Sequence, residues 1–238
     1  MDKNNDSYKK FQESLEHLQG HFHVLETTIP VEKQMEFFRY SEKLREQDVK
    51  QPVEESINLL NSEDASEESK KEAMSLLAIS GDVKAYRALE SYQKQAEENL
   101  KDWANMSLLQ AKITLESEFS DEKQIFISTG LGGKGELLRF FAFFKAKDLN
   151  PFSAYQIQLI EKEIPFHIHE AHGIVEELKV SENYFTITFL INIKTDIKYM
   201  LENAIAECNQ YGDFIDGSFI VTNVRKFNEE EINKELSK

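Results

Sequence analysis

Apolar residues recur at three- and four-residue intervals through the first half of the chain, and at alternate positions through much of the second. Residues 6–19 place Tyr8, Phe11, Leu15 and Leu18 on one stripe, which predicts an amphipathic helix. Pro30 suits the opening turn of a second helix, where its missing N–H would be unpaired anyway, with Met35, Phe38 and Leu44 inward. Pro52 opens a short third helix carrying Val53, Ile57 and Leu60, and an acidic connection runs from Ser62 to Glu68. Residues 66–80 carry Ala73, Leu76 and Leu77 and stop at Gly81-Asp82. Residues 83–95 carry Val83, Tyr86, Leu89 and Tyr92, and residues 97–118 carry Leu100, Trp103, Ala104, Leu108, Ala111 and Leu115. The short breaks between these segments predict antiparallel helical neighbours.

From residue 124 the period changes to two. Gln124 to Thr129 is a short strand candidate, Gly130 to Gly135 a glycine-rich turn, and Glu136 to Lys147 a long strand. Pro151 begins a helix to about Glu163 with Tyr155, Leu159 and Ile160 inward. Ile174 to Val180 and Asn183 to Lys194 form a hairpin over Ser181-Glu182. Asp196 caps a helix to about Gln210 that buries Ile197, Leu201, Ile205 and Cys208, and Gly212 ends it. Ser218 to Phe227 is a final strand, and Asn228 caps an acidic helix, Glu229 to Leu236. Without the first short strand the order is β-α-β-β-α-β, the ferredoxin-like pattern; with it, the order is two β-β-α units plus a strand. Strand pairing decides between them. The expected fold class is α+β, with an antiparallel helical module over residues 1–119 followed by an antiparallel α/β sandwich over 124–238.

Composition narrows the class. The chain has 238 residues, 40% of them hydrophobic, which is too many for a disordered chain. A single Cys excludes an internal disulfide and suits the cytoplasm. No apolar run approaches the roughly 20 residues that cross a bilayer, so no membrane insertion is expected. The net charge of −15 opposes broad attachment to phosphate backbones. It is uneven: residues 1–123 hold 16 basic and 26 acidic side chains, against 12 and 17 in residues 124–238.

Catalytic and metal-binding patterns are weak. Lys134 is followed by Gly135 and a strand, so the glycine-rich turn lacks the helix that a phosphate loop requires. It reads as a hairpin loop whose glycines admit positive φ. His167, His169 and His172 cluster without a second group of ligands nearby in sequence. Cys208 falls on an apolar helix face, as an inert buried thiol does. Glu176 and Glu177 read as solvated charges, because alternation sends strand neighbours to opposite faces. No catalytic residue, metal ligand or cofactor is expected.

The long strand carries the strongest signal. Leu138, Phe140, Ala142, Phe144 and Ala146 form one apolar face, while Leu137, Arg139, Phe141, Phe143 and Lys145 form the other. On the second long strand Phe185, Ile187, Phe189, Ile191 and Ile193 face the core, and Tyr184, Thr186, Thr188, Leu190 and Asn192 face away. The expected partner-binding set is Lys134, Arg139, Phe141, Phe143, Lys145 and Tyr184. Lys134, Arg139, Lys145 and Lys147 against Glu136 make residues 130–147 net +3. Such a face suits a protein interface, single-stranded RNA stacking, or cover by the helical half.

The run AMSLLAISGDVKAYRALESYQ followed by LKDWANMSLLQAKITLE, with its Gly81-Asp82 turn and the pairs Ala88-Leu89 and Ala104…Leu108, resembles HEAT-like helical repeats over residues 65–118. The C-terminal half is similar to a ferredoxin-like sandwich. The first resemblance implies a binding scaffold without catalysis. The expected function is therefore a non-catalytic cytoplasmic adaptor with a protein partner. An RNA- or ribosome-associated protein is the alternative, and a metal-dependent enzyme at the histidines is the third.

Overall fold

The computed structural model describes residues 21–47, 49, 51–119 and 124–238. The helix expected over 6–19 lies outside them. The described residues fall into two compact units that meet in sequence between Ile127 and Ser128.

The first unit contains α1 (Val31–Glu46), α2 (Val53–Leu60), α3 (Glu67–Ile79), α4 (Val83–Gln93) and α5 (Glu98–Phe119). Pro30 and Pro52 each sit just before the first helical residue. Ser66 and Asp82 accept backbone N–H bonds from Ser69 and Lys84 and so start α3 and α4. Gly81, at φ +69°, turns the chain between those two helices. α3 packs on α2 and α5, and α4 packs on α5. Trp103 sits in this core with its ring edge-on to Phe37 and Tyr40, and its Nε1–H donates to Lys71 O and Ser75 Oγ, both at 3.1 Å. Burial of Trp103, Tyr92 and Leu89 follows from their helical spacing.

Strands also occur in this unit. β1 (His21–Val24) pairs in parallel with β2 (Gln124–Ile127). The short strand at 124 is therefore no part of the C-terminal sheet, and the pairing settles the choice of strand order.

The second unit has β3 (Gly133–Lys134), β4 (Leu137–Ala146), α6 (Ala154–Glu170), β5 (Ile174–Val180), β6 (Tyr184–Asn192), α7 (Ile197–Asn209), β7 (Ile215–Thr222) and α8 (Glu229–Leu236). The sheet runs β5-β6-β4-β7, all antiparallel, with β3 folded back on the start of β4. With β3 set aside as a hairpin, this is the β-α-β-β-α-β connection order. Leu138, Phe140, Ala142, Phe144 and Ala146 are at most 2% exposed, and Phe144 stacks on Phe185 at 4.5 Å. α6 and α7 bury Leu159, Ile160, Ile164, Ile168, Leu201, Ala204, Ile205 and Cys208. Each Leu or Ile side chain taken from water contributes about 1.5–3 kcal/mol, so this apolar layer is the main support of the unit.

α6 departs from the sequence expectation. It begins at a capping box between Ser153 and Gln156 and continues past Pro165 to Glu170. Tyr155, expected inward, is 55% exposed. Among the described residues no helix is long and apolar enough to cross a membrane.

Candidate functional site

Period two aims Arg139, Phe141, Phe143 and Lys145 of β4 away from α6 and α7. Their register partners on β6 are Leu190, Thr188, Thr186 and Tyr184, and Phe141 and Phe143 face Thr222 and Ile220 on β7. Residues opposite one another share a face, so the sheet brings together all of the expected set on its central strand together with Tyr184.

This face is covered from within its own unit. Phe141 and Phe143 are 4% and 3% exposed. The Phe227 ring lies 5.4 Å from that of Phe141 and 6.2 Å from that of Phe143. Ile232 and Leu236 of α8, with Tyr184 and Ile220, pack on the same cluster. Phe227 and Ile232 hold the positions that flank an N-cap at Asn228, and Glu231 completes its capping box. That staple and box were the sequence signals for a docked helix.

Charge is arranged at one border of the aromatic strip. Arg139 donates from Nε and Nη2 to the two carboxylate oxygens of Glu176, at 2.5 and 2.8 Å, and from Nη1 to Leu131 O at 2.7 Å. The Arg139 guanidinium holds the Glu176 carboxyl below its usual range against the opposing effect of burial, and Lys226 and Lys134 add to the field. Glu177 accepts from Lys179 at 2.7 Å and from Lys226 at 2.8 Å, and these two hold its pKa at about 2. Three cations thus bond two carboxylates, with Lys134 in their field. The expectation that Glu176 and Glu177 diverge is corrected: a bulge between Val175 and Glu177 breaks the alternation, and both carboxylates meet cations of this border.

The remaining expected cations lie apart from this cluster or on its edge. Lys145 is 3.8 Å from Asp216, Lys147 pairs with Asp213, and Lys134 stands exposed in β3. The glycine-rich turn is a hairpin with Gly132 at φ +65° and Gly135 at φ +60°, as its composition required. His167 and His169 lie in the last turn of α6, and His172 lies beyond it at φ +58°. Among the described residues no three His, Cys, Asp or Glu side chains are grouped to hold a metal. Burial pushes the Cys208 thiol up to about 12.

No protein-family model matches the chain, and no curated protein matches it in sequence. Solved structures similar to part of it include these two. One is a protein from Deinococcus radiodurans R1 assigned as a transposase, with 11% identity and a TM-score of 0.37 over 42% of this chain and 89% of that one. The other is a REP-associated tyrosine transposase bound to a REP hairpin, with 9% identity and a TM-score of 0.33 over 41% of this chain and 61% of that one. The expectation of a non-catalytic adaptor with a protein partner is corrected to the extent that no such adaptor was found: both of these structures are transposases, one of them bound to a REP hairpin. The expectations of no enzyme and of a HEAT-like scaffold likewise find no counterpart in these two structures.

Proposed function

We propose that the C-terminal domain binds DNA carrying unpaired bases, a hairpin loop or a single strand, on the outer face of its sheet. The observation that carries this reading is the set of Arg139, Lys179 and Lys226 hydrogen-bonded to Glu176 and Glu177, with Lys134 in their field, beside the strip of Phe141, Phe143 and Tyr184. Cations that donate to carboxylate oxygens can donate to phosphate oxygens in the same geometry. Aromatic rings on a central strand stack bases whatever their sequence. The chain's overall −15 keeps the attraction local, so duplex backbone alone is a poor ligand.

Fluorescence anisotropy of a labelled DNA hairpin, titrated with the full chain over a salt series, tests this. Two to four phosphates engaged give a slope of log K against log salt of roughly −1.4 to −2.8, at about −0.7 per phosphate for single strands. Blunt duplex should compete poorly with the hairpin. Absence of binding at low salt, or equal competition by the duplex, would sink the proposal.

A further inference from the structure

The cover over the outer face has the properties of a part that comes off. α8 is eight residues long and has no fully buried residue. Helices shorter than about 12–15 residues are marginal in water on their own, so its order depends on docking. The docking rests on Phe227, Ile232 and Leu236 against Phe141, Phe143 and Leu131. The chain leading into it meets the sheet through Lys226 and Glu177, a pair that is exposed and therefore weak. The pair of Arg225 with Glu231 ties α8 only to the chain that leads into it. α8 is also acidic, with Glu229, Glu230, Glu231 and Glu235 against Lys234, so a helix of net −3 lies on a face bordered by cations.

We infer that residues 227–238 are a displaceable cover that competes with DNA for the outer face of the sheet. This rests on the DNA-binding reading above. DNA and the cover carry charge of the same sign and need the same aromatic surface, so occupancy by one excludes the other. Displacement uncovers Phe141 and Phe143 and takes Glu231 away from Arg225. Apparent affinity is then the intrinsic affinity scaled by the open fraction, and loosening the cover raises it.

The test uses the full chain and its I232S/L236S variant, which loosens the cover without touching the proposed DNA-binding residues. The variant is expected to bind the hairpin at least tenfold more tightly in anisotropy. In hydrogen exchange without DNA, the α8 amides of the unaltered chain should exchange far faster than those of β4. F227A supplies a second loosened cover and should shift affinity the same way. If the unaltered chain binds and neither variant binds more tightly, the cover is no competitor while the DNA-binding reading stands. If neither the chain nor the variants bind, both fail. Exchange of α8 at the rate of β4 would also overturn the cover.

Discussion

Glu176→Gln tests whether the cation cluster is held as the distances imply. The substitution keeps the shape but removes the charge, and an amide N–H₂ replaces one of the two acceptors facing Arg139. The side chains of Arg139 and Glu176 are only 18% and 31% exposed. Two unit charges 4 Å apart attract by about 4 kcal/mol at an effective dielectric constant near 20, an upper bound that desolvation reduces. Hydrogen bonds to charged groups contribute about 1.5–3 kcal/mol net, so a loss of about 2 kcal/mol is expected. At 1.4 kcal/mol per tenfold, that speeds globally limited amide exchange roughly 30-fold.

The assay is native-state hydrogen exchange at Phe140 and Phe189, which face one another across β4 and β6. The pH dependence has a definite sign. Arg139 lowers the folded-state pKa of Glu176, so the stabilisation is complete above the unfolded value of about 4.3 and is lost as pH falls through the folded value. The gap between the two proteins should be constant from pH 8 to about 5 and close below about 4. A change under twofold, or a gap that persists unaltered at low pH, would refute the reasoning.

Four other substitutions or probes bear on the fold. Gly130→Ala would place a Cβ 1.9 Å from Val224 O and should destabilise the sheet domain by about 3 kcal/mol, while Gly135→Ala meets no atom within 4 Å and should cost about 1 kcal/mol from its positive φ; urea unfolding separates the two. Trp103→Phe keeps the ring packing but leaves the Ser75 hydroxyl and Lys71 carbonyl without the indole donor, and should lose about 1–2 kcal/mol in the unfolding of the helical unit. Cys208, buried and titrating at about 12, should resist iodoacetamide at pH 8 in the folded protein and react once urea unfolds it.

Much of the architecture was legible because it depends on local patterns. The two faces of β4 follow from period two over ten residues, and Asp196, Asn228 and Gly81 mark helix ends by their own side chains or their lack of one. What was not legible depends on distant partners. β1 and β2 pair across a separation of about a hundred residues, and a four-residue parallel strand has no local signature of its mate. The bulge at Val175–Glu177 shifts one register step and aligns two carboxylates that strict alternation would separate. Tyr155 has helical spacing to Leu159 but lies at the exposed end of α6, against Tyr211. For the candidate site, the aromatic and basic residues of β4 were readable, whereas Lys179 and Lys226 join them only through the folded sheet and its C-terminal extension.

The central claim is that DNA meets the outer face of the sheet. A DNA hairpin with 5-bromodeoxyuridine in its loop, photocrosslinked to the full chain and to its I232S/L236S variant, reads that contact directly by mass spectrometry. The account predicts adducts on Phe141, Phe143 or Tyr184, increased in the variant. Adducts confined to residues outside that face, or none in either protein, would contradict it.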